Sequence, residues 1–258
     1  MELILKNMNT KDLYQLNLKL NSSFIYGVYG EGMSELFSSL TDLSFEKGII
    51  TKDKQRLLKK EYITFMKIVK TLPKPRLSTV EEWICHYIFE NNLTLKDKKQ
   101  KITTVLKLVG LNDQYLTKPI STLSTVEIKL LSLAIVLLDD FELLILDDLF
   151  EHLDRKYRQK IYRLLVKIKE KKEAIILLGT KDMDILYQYT DKFILFDHNE
   201  IILESDTKDL YKSIEFLLLK KIEIPDILMF THLAKKKGVK LDYHKDVRDL
   251  MKDVYKKL

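Results

Sequence analysis

Gly27-Val28-Tyr29-Gly30-Glu31-Gly32-Met33-Ser34 ends a short apolar run and opens a helical one, and it holds three of the chain's seven glycines. A phosphate-cradling loop (P-loop) takes a glycine, four residues, a second glycine, then a lysine and a hydroxyl residue. Backbone N–H groups wrap the phosphates and the lysine neutralises them. Gly27, Gly32 and Ser34 occupy the required positions, with Gly30 between them, while Met33 stands where the lysine belongs. The preceding run, Phe24-Ile25-Tyr26, reads as a strand, and Ser34 to Leu40 reads as a helix whose amino end would face a ligand. A tight strand-to-helix turn that binds nothing is the competing reading of the same residues.

The chain has 258 residues, room for one large domain and a smaller appendage, and its 46% hydrophobic content supports a substantial core. Forty-four basic against 38 acidic residues give a net charge of +6. That is compatible with nucleic acid, anionic lipid or phosphate ligands and too modest to choose among them. Mixed-sign runs such as Lys167 to Glu173 read as a solvated helix face. The single Cys85 cannot form an internal disulfide, so a reducing cytoplasm is expected. Met1 to Asn7 lacks the pattern of a signal peptide, and the longest apolar stretch, Leu130 to Leu138, falls short of the roughly 20 residues that span a bilayer. Any membrane association is therefore expected to be peripheral. The five histidines, at 86, 152, 198, 232 and 244, do not pair at metal-ligand spacing. Trp83, Tyr87 and Phe89 fall at helical spacing with Ile84 and Ile88 and read as core, and no nucleic-acid-binding motif is present.

Apolar runs at Phe24–Val28, Leu143–Leu146, Ala174–Leu178 and Phe193–Phe196, separated by longer amphipathic segments, predict a mostly parallel sheet covered on both faces, an α/β fold. From about Glu61 to Leu111 no such strand is evident, which predicts an inserted helical subdomain. Ser-Thr-Val-Glu occurs twice, at Ser78–Glu81 and Ser124–Glu127, each with the spacing of a capping box before an apolar helix. After Glu204 the composition turns lysine-rich and helical, punctuated by Pro225 and Gly238, as in a separate accessory element.

Leu143-Leu144-Ile145-Leu146-Asp147-Asp148 is a buried strand ending in carboxylates. Such a strand presents its acids at the carboxyl edge of a parallel sheet; in a P-loop protein the first holds Mg²⁺ through water and the next polarises an attacking water, roles that would fall to Asp147 and Asp148. A solvated acidic turn is the alternative. Upstream lies Leu123-Ser124-Thr125-Val126-Glu127; downstream come Glu151-His152-Leu153-Asp154 and, after a strand, Gly179-Thr180-Lys181-Asp182-Met183-Asp184. This order resembles the ATP-binding-cassette ATPases, running through P-loop, helical insert, signature helix, acidic motif, D-loop and switch loop. The resemblance covers most of residues 1 to 205.

Within that family the chain is similar to the ATPase subunits of energy-coupling factor importers of vitamins and metal ions. The likeness rests on Val105-Leu106-Lys107-Leu108-Val109-Gly110-Leu111 and on a tail with Ile224-Pro225-Asp226-Ile227 and Leu233 to Val239. It implies a P-loop NTPase fold of cassette type at 1–205, with a helical subdomain at about 61–135 and a helical, dimerising extension at 206–258. It also implies ATP and Mg²⁺ as cofactors, a second cassette ATPase and a transmembrane coupling subunit as partners, and a peripheral place on the cytoplasmic side of the cell membrane. No nucleic-acid partner is implied.

Carried over position by position, the resemblance gives nucleotide binding to Gly27, Gly30, Gly32, Met33 and Ser34, and Mg²⁺ to Ser34 and Asp147. Asp148 stands for the catalytic glutamate and Lys181 for the switch histidine. The signature reads Ser124, Thr125, Val126 and Glu127 where the family has two glycines and a glutamine after the serine; Asp154 of the D-loop is kept. The glutamine loop aligns best at Thr71, and Met8 or Tyr14 lies where adenine would stack. Lost charge at Met33, β-branched residues at the signature and a shortened acid together predict a degenerate subunit, a pseudo-ATPase. A slow but functional ATPase and a cassette-derived scaffold or regulator are the alternatives.

Overall fold

The computed structural model describes residues 1–42, 45–58, 66–69, 79–88 and 95–257. The chain opens with β1 (Glu2–Asn9), β2 (Leu16–Asn21), β3 (Ile25–Gly30), α1 (Met33–Asp42), β4 (Lys47–Lys52), β5 (Gln55–Arg56) and β6 (Met66–Val69). Next come α2 (Val80–Ile88), α3 (Leu95–Val109), α4 (Thr125–Val136), β7 (Leu143–Asp147), α5 (Arg155–Lys172), β8 (Ile175–Gly179) and α6 (Met183–Tyr189). The antiparallel pair β9 (Lys192–Asp197) and β10 (Glu200–Asp206) follows, then a 3-10 segment (Thr207–Ser213), α7 (Ile214–Leu219), α8 (Asp226–Lys236) and α9 (Val247–Lys257).

Six strands form one sheet in the order β10-β9-β3-β8-β7-β6, parallel throughout except at the β10 edge. Alternate side chains feed two cores, as the period-two geometry of a strand requires. Val28, Leu143, Ile145, Leu177 and Phe196 join Leu36, Phe37 and Leu40 of α1 and the inner residues of a second sheet. Ile25, Leu144, Leu146, Leu178 and Leu195 pack with residues of α4, α5 and α6. Burial on both faces is why these strands are continuous apolar runs. The expected α/β fold with a two-faced parallel sheet is what the chain adopts.

Three features depart from the sequence reading. The second sheet, β2-β1-β4-β5, was not evident: its apolar alternation in Leu3, Leu5 and Met8 is broken at Asn7, whose φ of 48° marks a register shift between Leu5 and Met8. The stretch read as mainly helical and without strands contains β6, which pairs in parallel with β7 from Met66↔Leu143 to Val69↔Leu146. Four residues with a lysine among them carry too little pattern to identify, and Lys67 serves an ion pair with Asp139 at 2.9 Å. Ser78 of the first Ser-Thr-Val-Glu lies outside the described residues; the reciprocal bonds there join Thr79 and Glu82, one residue on. The second copy makes its capping box as read: Ser124 Oγ accepts from the Glu127 amide at 3.2 Å, and the Ser124 amide donates to Glu127 Oε2 at 2.8 Å.

Helices follow β10, and they are split between two environments. Leu210, Ile214, Leu217, Ile224, Leu228 and Leu250 are buried in the main core. Leu219, Phe230, Leu233 and Tyr255 are 81%, 53%, 50% and 72% exposed. Trp83 and Ile84 are core residues, whereas Phe89 and the side chains of Tyr87 and Ile88 lie outside what is described.

Candidate nucleotide site

Val28 of β3 pairs with Gly179 of β8, and Gly179 pairs in turn with Asp147 of β7. The glycine-rich turn, the loop after β8 and the acid pair therefore rise from one row at the carboxyl edge of adjacent parallel strands, where α/β sheets bind ligands. Sequence separation of over a hundred residues becomes adjacency through the strand order β3-β8-β7.

The turn itself is straighter than a cradle. β3 stays paired with β9 through Tyr29↔Leu195 and Gly30↔Phe196, so only Glu31 and Gly32 separate strand from helix. Gly30 has φ +98°, and a β-carbon there would fall 2.0 Å from the Phe196 carbonyl oxygen. At Gly32, with φ +108°, it would fall 2.7 Å from the Phe196 ring. These two glycines are thus required by close packing against the β9–β10 hairpin, whatever else they do. His198 at the hairpin tip lies 3.1 Å from Glu31 Oε2 and straps the turn from outside. Met33 is 5% exposed and belongs to the apolar layer with Phe37, while Ser34 is exposed on the first turn of α1. Gly27 lies within β3 against Thr190, where a β-carbon would be 2.9 Å from Thr190 Oγ1.

Asp147 ends β7 partly buried, and Asp148 turns left-handed after it with φ 52°. Burial pushes the Asp148 carboxyl above its ordinary value, Asp147 and Glu151 add to the rise, and the charges of Lys129 and Lys181 oppose it. Lys181 is exposed, close enough for its charge to act on Asp148. Lys129 was missed in the sequence because a lysine inside an otherwise apolar helix gives no motif. It is buried, and its Nζ donates to the carbonyls of Asp148 at 2.8 Å and Glu151 at 3.1 Å.

Ser124 and Glu127 cap α4. Ser124 Oγ lies 2.8 Å from Glu127 Oε2, Tyr115 Oη donates to Glu127 Oε1 at 2.6 Å, and Lys118 Nζ stands 3.7 Å from that oxygen. Burial alone would raise the Glu127 carboxyl; the hydrogen bonds from Tyr115 and Ser124 and the Lys118 charge outweigh it and hold the group below its ordinary value. The Tyr115 hydroxyl, bonded to that carboxylate, is pushed up to about 12. The charge at Glu127 is therefore absorbed within the chain, and Thr125 and Val126 occupy the helix start. Asp154, exposed, caps α5 by accepting from the Tyr157 amide at 2.8 Å.

Of the two residues considered for adenine, Met8 is fully buried in the second core and cannot stack on a ligand, whereas Tyr14 is 72% exposed. Thr71 lies outside the described residues. His152, His198, His232 and His244 sit beside carboxylates, and among the described residues no cluster suited to a metal ion is found.

A family profile described as ABC transporter matches residues 13–151, more than half of the chain. The chain belongs to the ABC transporter family, as an ATP-binding cassette. Among relatives, this cassette is 26% identical over 244 residues to the energy-coupling factor transporter ATP-binding protein EcfA2 of Listeria welshimeri, covering 89% of the cassette and 84% of that protein. It is 25% identical over 239 residues to the probable ABC transporter ATP-binding protein p29 of Mesomycoplasma hyorhinis, covering 83% and 94%. Its fold matches cbiO1 of Clostridium perfringens, described as part of the ABC transporter complex cbiONQ, with a TM-score of 0.71, 21% identity and coverage of 89% and 98%. It also matches the dimeric cassette MJ0796 bound to ADP and Pi, with a TM-score of 0.70, 19% identity and coverage of 80% and 98%. Among the cassette's described residues no helix is long and apolar enough to cross a membrane.

Proposed function

We propose that this cassette is the ATP-binding subunit of an energy-coupling factor type importer for a vitamin or metal ion, that it completes an ATPase dimer with a second, competent cassette, and that its own hydrolysis is strongly reduced. The relative named EcfA2 supports the importer class. The observation that carries the reduced activity is the burial of Met33 in the apolar layer, beside the row that ends in Asp147. A lysine at that position neutralises phosphate; a thioether turned inward cannot.

The residues fit the expected ligands in part. Ser34 at the open end of α1 and Asp147 suit Mg²⁺, whereas the straightened turn and Met33 do not suit a triphosphate. The chain's own residues therefore supply no complete route to hydrolysis. Gly30 and Gly32 line the phosphate side in this reading while Gly27 stays within β3, Asp148 and Lys181 take the altered catalytic positions, and Ser124 to Glu127 face the partner's nucleotide. The extension at 206–258 contributes its exposed apolar residues to the partner interface, on the cytoplasmic side of the membrane.

The retained Asp147-Asp148 pair favours a second reading, a slow but functional ATPase. Tagged protein expressed together with its neighbouring genes tests the main reading. Co-purification of a second cassette ATPase and a multi-spanning membrane protein is the expected result, and recovery of the chain alone contradicts it.

A further inference from the structure

We infer that Lys129 is the positioning residue of the acid pair: its ammonium holds the left-handed turn that carries Asp148 and ties that turn to the helix that begins at the signature. The Lys129 side chain is 5% exposed, and its ammonium donates two hydrogen bonds and stands in one ion pair. Nζ donates to Asp148 O at 2.8 Å and Glu151 O at 3.1 Å, and stands 3.6 Å from Glu151 Oε2. A buried ammonium persists only where its donors are satisfied, so this convergence is the condition for having a lysine there.

The acceptors are the two ends of one turn. The Asp148 amide donates to Gly179 O at 3.0 Å and the Glu151 amide donates to Asp148 O at 3.3 Å, while Lys129 closes the turn from beneath. Asp148 has φ 52°, a conformation costly for a residue with a side chain and kept only where its surroundings enforce it. The charged groups facing its carboxylate are Asp147 and Glu151 from its own segment, Lys129 from α4 and Lys181 from the loop after β8. Lys181 acts through charge alone from an exposed position; Lys129 acts through charge and through the backbone it grips. Displacement of α4 by a partner would therefore pull directly on the acid pair. The inference rests on the nucleotide reading only for its purpose, since the grip itself exists without nucleotide.

Nuclear magnetic resonance on the full chain without nucleotide provides the test, reading the Asp148 backbone φ from its amide–Cα proton coupling and hydrogen exchange at the Asp148 and Glu151 amides. Lys129→Met is expected to shift Asp148 out of the left-handed region and to speed exchange at both amides roughly tenfold or more, the scale set by losing charge-assisted hydrogen bonds. Lys129→Gln, which keeps a donor without the charge, should shift φ less and give a smaller gain in exchange, and it supplies both readouts if the methionine variant does not fold. Lys181→Met should leave φ and exchange unchanged. Loosened amides with an unmoved Asp148 φ would reduce Lys129 to a packing residue and overturn the inference; so would an unmoved exchange rate, or equal loosening by Lys181→Met. ATP titration of the unaltered protein is a separate measurement, and a failure to bind would sink the nucleotide reading while leaving the Lys129 result standing.

Discussion

Met33 Sδ lies against Gly179, so close that a β-carbon built on the glycine would fall 2.7 Å from the sulfur and 2.4 Å from Phe37 Cε2. Val28 and Asp147 flank that glycine on either side in the sheet. Met33 is thus part of the packing that joins α1 to β8, and its side chain is turned into the core.

Met33→Lys should tighten nucleotide binding without restoring turnover. A recovered charge-assisted contact is worth about 1.5–3 kcal/mol, or about 10- to 150-fold in affinity. The same change removes a buried thioether from the layer, and loss of its burial should lower thermal stability by about 1.5–3 kcal/mol. Titration with a fluorescent ATP analogue and a melting curve read the two effects; unchanged affinity would mean that this turn is not the phosphate site.

The extension is both brace and surface, so its deletion would strip Leu217 and Leu228 from the core and confuse the two roles. Substituting exposed residues separates them. Leu219→Asp and Phe230→Asp should weaken association with a partner cassette at least about tenfold, as for interface anchors, while leaving the melting temperature of the isolated chain close to its original value. Undiminished pull-down by both variants would remove the interface role.

Asp184 joins α6 to the extension by accepting from the Asp226 amide at 3.0 Å. Burial, with Asp226, Asp182 and Glu223 adding their charges, raises its carboxyl from an ordinary 3.8 to about 6. Between those values the folded chain holds a proton that the unfolded chain has released, so this group's contribution to stability falls as pH rises through the window and its penalty is complete above about pH 6. Asp184→Asn keeps an acceptor and removes the charge. Urea unfolding should show the variant stabilised relative to the original protein at pH 7.5 and little changed at pH 4; an equal shift at both would show that titration of Asp184 is not the cause.

The parallel sheet was legible because strands buried on both faces leave continuous apolar runs, and Leu143 to Leu146 needs no context to be recognised. Boundaries slipped by a residue at β8, and β3 ran two residues further, because the glycines that suggested a loop at Gly27 to Gly30 are tolerated in a strand where neighbours press close. Order and spacing offered candidate motif positions. What spacing could not convey was direction: Met33 inward, Met8 wholly buried, and Lys129 beneath Asp148 depend on packing between segments far apart in the chain.

Steady-state ATP hydrolysis by the purified chain decides whether this cassette has lost its own turnover. With Met33 turned into the core and Glu127 bound within its own helix start, turnover should stand at or near background at saturating Mg-ATP. Turnover in the ordinary enzyme range of about 1–1000 per second, abolished by Asp147→Asn, would contradict it.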